Sequence, residues 1–261
     1  MFRLSRDITG VHPEFIVNVS GFQFANSTLL SLGIMVLLII FCFIIVRKYK
    51  TRPGKAQTAV EILYEGMIGF ITQITANKDE SKKIFPLIAT IFIYIGISNL
   101  ITLIPGISAI QYNGSTVFRS PTTDFNTTFG LALGAVILLQ IVSIADWGFW
   151  GHIGKFFKFK DVYLGFRRSL KDGFMAIIDF LIGLLDIVGE IAKVISLSLR
   201  LFGNMYAGEV LATLILGAFA YVLPITWSAM SILSGVVQAL VFGSLVTAYY
   251  MLAIKPREEI E

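Results

Sequence analysis

Residues 174–220 read FMAIIDFLIG LLDIVGEIAK VISLSLRLFG NMYAGEVLAT LILGAFA, a stretch of 47 residues without a proline. As a helix it would extend roughly 70 Å, more than twice the thickness of the hydrocarbon layer of a bilayer. Nothing in it forces a break, so it reads as one long, steeply inclined helix with at most a local bend. Residues 221–254 form a second apolar segment too long for an upright span. The two together read as a tilted helical hairpin over 174–254. Composition agrees: 56% of the chain is hydrophobic and only 15% charged, where a soluble domain carries about a quarter charged residues.

Working outward, three further runs are apolar over the roughly 20 residues a crossing needs. They cover residues 29–46, 84–104 and 128–146. The first stops at Arg47, Lys48 and Lys50, the second at Pro105, and the third at Asp146-Trp147. Residues 56–75 differ in kind. Val60, Leu63, Met67, Phe70, Ile71 and Ile74 recur at helical spacing, with Glu61, Glu65 and Gln73 elsewhere around the helix. That pattern suits an amphipathic interfacial helix, or else a connecting helix packed on a partner. Residues 1–28 contain Arg3, Arg6, Asp7 and Glu14 without an apolar core, so they read as an external segment and not as a cleaved leader. The expected architecture is therefore a single membrane domain over 1–261. It is an all-α integral membrane protein with five membrane-crossing helices plus an interfacial amphipathic helix, the last two crossings forming the long tilted hairpin.

Lys and Arg set the orientation. Eight fall in residues 47–83, six in 146–173 and two in the C-terminal tail, against three in the N-terminal segment and the 105–127 loop together. Five crossings with the N-terminus outside place the sixteen on the cytoplasmic side. A net charge of +4 could also suggest nucleic acid, but these residues sit in short loops between apolar runs, as membrane topology requires. The single cysteine, Cys42, lies inside an apolar run, and His12 and His152 lack metal-motif spacing. No disulfide framework, metal site or cofactor is expected.

The long segment carries too many ionisable groups for a passive anchor. Asp179, Asp186, Glu190, Lys193, Arg200 and Asn204 are spaced by 7, 4, 3, 7 and 4 residues. At about 100° per residue they fall within roughly 80° of one another, a polar stripe on an apolar rod. Gly189, Ser196, Gly203 and Ala207 flank it, which would let another helix approach closely. Glu190 and Lys193 are spaced for an internal ion pair. Arg200 is not so placed, because positions 196, 197, 203 and 204 are Ser, Leu, Gly and Asn. A guanidinium stays protonated, so Arg200 in a membrane requires a counter-charge from elsewhere, expected to be another chain. Glu209 lies about 180° around the helix from Arg200. Those two residues belong on opposite sides of a barrier.

The fourteen residues 196–209, SLSLRLFGNMYAGE, closely resemble the signature of the subunit a family of F-type ATP synthases. Asn99-Leu100 with Leu103-Ile104-Pro105, and Pro121-Thr122-Thr123-Asp124-Phe125-Asn126-Thr127-Thr128, resemble two further motifs of that family. Gln238 stands where the family's glutamine lies. The resemblance implies a non-catalytic stator subunit that conducts protons to and from a rotor ring of small hairpin subunits, each bearing one mid-membrane carboxylate. Two offset half-channels reach the ring on either side of the arginine. Arg200 would favour the ionised ring carboxylate at the exit and block a direct leak. Asn204 and Gln238 would orient the arginine or meet the ring, and Glu209 would be the relay of the outer half-channel. Asp124 and Asn126 would line its mouth. Asp179 and Asp186 could line the cytoplasmic exit, and Ser196 is placed with them as a lining residue. The implied partners are the rotor ring, a peripheral-stalk subunit, the rest of the ATP synthase and membrane lipids, in a bacterial plasma membrane. Two departures from the pattern bear on the outer route: Ser231 stands where many members have an ionisable residue, and Thr102 where members often have an acid.

Readings from other classes fare worse. A secondary transporter would use a buried Arg as a substrate clamp, but the chain has no internal repeat or matching Gly/Pro-interrupted spans. An intramembrane enzyme would need a metal motif, a nucleophile elbow or a phosphate-binding glycine loop, and none occurs.

Overall fold

The computed structural model describes residues 15–19, 22–51, 54–101, 111–112, 115–116, 118–157, 167, 170–218 and 223–254. Thr102, the Leu103-Ile104-Pro105 motif end, Lys158, Lys160, Arg168 and the charged residues of positions 1–14 lie outside them.

Seven α-helices dominate the described residues: α1 Asn26–Lys48, α2 Lys55–Thr75, α3 Lys78–Ile101, α4 Phe125–Trp147, α5 Phe149–Phe156, α6 Leu170–Ala218 and α7 Leu223–Ala253. Two small antiparallel hairpins were not expected. β1 Phe15–Val19 pairs with β2 Phe22–Ala25 just before α1, and β3 Gln111–Tyr112 pairs with β4 Ser115–Thr116 between α3 and α4. A 3-10 turn, Pro121–Thr123, follows.

Among the described residues, four helices are long and apolar enough to cross a membrane: α1, α3, α4 and the Thr226–Ala253 part of α7. The chain is an all-α membrane protein. By the same measure α2 and α6 are not among the four. α6 is a single helix of 49 residues that carries its charges along its length.

Two helix starts, those of α3 and α4, follow local capping chemistry. Asp124 caps α4 through its side chain, accepting from the Asn126 N–H at 3.0 Å. Such a cap is worth about 1 kcal/mol. The turn from α2 to α3 is two residues long. Ala76 adopts a left-handed conformation and donates to the Thr72 carbonyl, while Asn77 Oδ1 accepts from Asp79 N at 2.9 Å. That tight reversal lays α2 along α3, with Met67 and Ile71 buried.

The core lies where α3, α4, α6 and α7 meet. Ile88, Ile91 and Ile95 of α3, Ala132 and Leu139 of α4, Val194, Leu197 and Leu201 of α6, and Phe242 and Val246 of α7 make one cluster. On α6 the buried residues Val194, Leu197, Ser198 and Leu201 recur at helical spacing, which fixes which face of that helix is covered.

Candidate functional site

Because one face of α6 is fixed by packing, the other is free. Ser196, Leu199, Arg200, Gly203, Asn204 and Ala207 are all exposed. A methyl group added at Gly189 or Gly203 would meet nothing within 4 Å, so this face lies open along its length. Arg200 projects from it and has no hydrogen-bond or ion-pair partner among the described residues. Lys193, seven residues earlier, is neutralised at home. Its Nζ lies 2.6 Å from Glu190 Oε1 and 5.1 Å from the centre of the Tyr249 ring. Asp179 and Asp186 are exposed further along the same helix.

One turn beyond Arg200, Asn204 links α6 to α7. Its Nδ2 donates to Ser234 Oγ at 3.0 Å and to Gln238 Oε1 at 3.3 Å. Gln238 is 5% exposed, and its Nε2 has no hydrogen-bond partner among the described residues. The structure thus brings Asn204 and Gln238 together but bonds neither to Arg200. Ser231 is half-buried on α7, and Trp227 donates to the Gly208 carbonyl at 3.1 Å.

Glu209 points elsewhere. It is part-buried, with Oε2 4.0 Å from Arg119 Nε. In the sequence Arg119 is one of the few basic residues outside the basic loops, yet here it is almost wholly buried. The sole hint was an arginine just ahead of a Pro-Thr turn. Around it the loop is tightly bonded. Thr122 Oγ1 donates to Asn99 Oδ1 at 2.7 Å, Asn99 Nδ2 donates to the Gly235 carbonyl at 3.2 Å, and Ser120 Oγ shares a 2.7 Å bond with Thr122 Oγ1. Ser98 is fully buried beside this group, and its Oγ has no hydrogen bond among the described residues.

Asp124 is also buried. Its Oδ2 accepts from Ser27 Oγ of α1 at 2.6 Å and from Thr127 Oγ1 at 3.4 Å. Its carboxylate is therefore occupied by capping α4 and holding α1, while Asn126 beside it is exposed.

At the opposite end, His152 of α5 lies 3.1 Å from Ser143 Oγ, in a group with Lys155 and Glu190. Burial pushes the imidazole below its ordinary value of 6.5 and Lys155 adds to the effect, while Glu190 opposes both. Glu80 is buried between Tyr250, which donates to it at 2.6 Å, and Lys83 at 2.9 Å. Among the described residues no group of acids, histidines and cysteines is placed to hold a metal ion.

The pattern is a permanent cation on an open helix face, unpaired among the described residues, with a part-buried acid on the far side of the same helix. The ATP synthase A chain family model matches residues 28–251. ATP synthase subunit a of Desulforamulus reducens is 35% identical, over 89% of this chain and 80% of that relative. The subunit a of Moorella thermoacetica is 30% identical over 93% and 96%, and subunit a 1 of Chlorobaculum parvum 29% over 94% and 96%. With that coverage the chain belongs to the ATP synthase A chain family, as a multi-pass, non-catalytic subunit of the proton-translocating membrane sector.

Proposed function

We propose that this chain couples proton flow to rotation through Arg200, which faces a ring of small hairpin subunits at the level of their carboxylates. Two half-channels approach that contact from opposite sides. The outer one runs past Asn126 and Asp124 to Glu209 and on past Ser231 and Gln238 towards the ring. The inner one runs past Ser196, Asp186 and Asp179. The N-terminus lies outside and the C-terminus in the cytoplasm, in a bacterial plasma membrane, with a peripheral-stalk subunit holding the chain still. Residues 56–75 lie along the interface, and the hairpin of α6 and α7 is inclined to the membrane.

The observation that carries this reading is the setting of Arg200, exposed on the open face of α6 and unpartnered among the described residues, while Glu209 sits part-buried on the other side. A cation in that place needs a counter-charge from outside the chain. A ring carboxylate supplies it when ionised and withdraws it when protonated. Because a guanidinium does not lose its proton, it also closes the direct route between the half-channels. A closed route matters because one charge crossing 100 mV releases only about 2.3 kcal/mol, so several must be coupled to each ATP.

The test is ATP-driven proton pumping in vesicles carrying the assembled complex. Arg200→Ala should abolish pumping in an intact complex and open a passive leak through the membrane sector. Normal pumping by that variant would overturn the mechanism.

A further inference from the structure

Arg119 lies in the loop just ahead of the Pro121–Thr123 turn, where a long basic side chain would ordinarily reach for solvent. Here it is 5% exposed. A buried guanidinium is costly unless hydrogen bonds and a counter-charge meet it. Its Nε donates to Thr123 Oγ1 at 3.2 Å and its Nη2 to the Thr123 carbonyl at 3.5 Å. Those neutral acceptors orient the guanidinium without balancing its charge. Asp124 is close in sequence, but its carboxylate is engaged by Ser27, Thr127 and the start of α4. Among the described residues, an acid at ion-pair distance is Glu209 of α6, at 4.0 Å.

The turn that carries Arg119 is itself fixed. Thr123 Oγ1 donates to the Ser120 carbonyl at 3.0 Å, and Ser120 and Thr122 are bonded through Asn99 to α3 and onward to α7. A cation held by α3 and α7 thus faces an acid carried by α6. A glutamate side chain has several rotamers, and immobilising it costs entropy that an adjacent fixed charge offsets.

We propose that Arg119 is a positioning residue for proton transfer, holding the Glu209 carboxylate at the seam between the outer turn and α6. This rests on the reading of Glu209 as the relay of the outer half-channel. Arg119 does not exchange protons itself. It gives the group that does a single place to stand.

The experiment measures passive proton conduction through the membrane sector after the soluble head is stripped from vesicles, normalised to assembled complex. Arg119→Gln, Arg119→Lys, Glu209→Gln and the Arg119→Gln/Glu209→Gln double variant are compared. Arg119→Gln should lower conduction about tenfold, within the range for residues coupled through one contact. Arg119→Lys, which keeps the charge, should recover a large part. The double variant should conduct no worse than Glu209→Gln alone, because residues that act as a unit are not additive. Normal conduction by Arg119→Gln, or a double variant falling well below Glu209→Gln, overturns the proposal. If Arg119→Gln fails to assemble, Arg119→Lys and the double variant decide by the same criteria. Normal conduction by Glu209→Gln would instead remove the relay reading beneath it.

Discussion

Two arginines carry the same charge into opposite settings. Arg119 is buried, bonded twice to Thr123 and faced by Glu209, so its charge is met within the chain. Arg200 is exposed and unmet among the described residues, and its charge is available to a partner. Lys193 shows the third option, a cation paired within one turn of its own helix by Glu190 at 2.6 Å. Gln238 extends the contrast to neutral groups. Its Oε1 accepts from Asn204, but its buried Nε2 has no hydrogen bond among the described residues, and a buried donor left so costs about 1–3 kcal/mol. Asn204 would still keep Ser234 if that acceptor were lost. Gln238→Leu should therefore leave the thermal stability of the complex unchanged or raise it, while pumping falls. Melting and pumping measured on one preparation separate the roles: a loss of both together would make Gln238 structural.

At the scale of elements, the contact between α5 and α6 is the tightest in the described residues that a single methyl group can test. At Gly183 an added Cβ would collide with the Phe156 carbonyl oxygen and come within 3.3 Å of the Lys155 oxygen. Both are backbone atoms at the end of α5 and cannot swing aside. Gly183→Ala should cost about 1–3 kcal/mol, the usual penalty for overpacking, and loosen α5. A thermal shift of the purified complex reads it, and an unchanged melting temperature would mean that α5 does not seat on α6 this way. Gly183 itself looks like any other glycine of an apolar helix, so this contact was invisible in the sequence. α5, eight residues long, was also missed, because so short a segment gives little periodicity to read. The long spans were legible from apolar runs ended by charge. The starts of α3 and α4 were not, since capping extends those helices beyond their apolar parts. α3 begins at Lys78 because Asn77 caps it, well before the expected 84, and α4 begins at Phe125 because Asp124 does the same. The Arg119–Glu209 pair was out of reach for another reason: α4 and α5 lie between its members in the chain, and the packing of the Pro-Thr turn onto α6 joins them.

Across the whole molecule, polar groups are sorted by depth. Large apolar side chains lie outward on α1, α4, α6 and α7, among them Ile39, Phe43, Ile137, Leu185, Ile191 and Leu233. Inside, hydrogen-bonded serines, threonines and amides gather where the Pro121–Thr123 turn meets α3 and α7, and that cluster includes Ser98 Oγ, which has no hydrogen bond among the described residues. Such groups normally find a partner, protein or water, which suits a hydrated route reaching part of the way through the molecule. On the reading proposed above, such a route would be separated from the exposed acids Asp179 and Asp186 by Arg200, which lies on the open face of α6 between them and Glu209 along the helix. A complete pathway would then require a second body at that face to carry protons past the arginine. The chain reconstituted alone into liposomes should accordingly show no proton conductance above the lipid background under an imposed potential. Co-reconstitution with the ring and stalk subunits should restore it, and Arg200→Ala in that assembly should convert coupled flow into leak. Conductance or solute uptake by the chain alone would instead mean that it holds a continuous path of its own, as a self-sufficient transporter does.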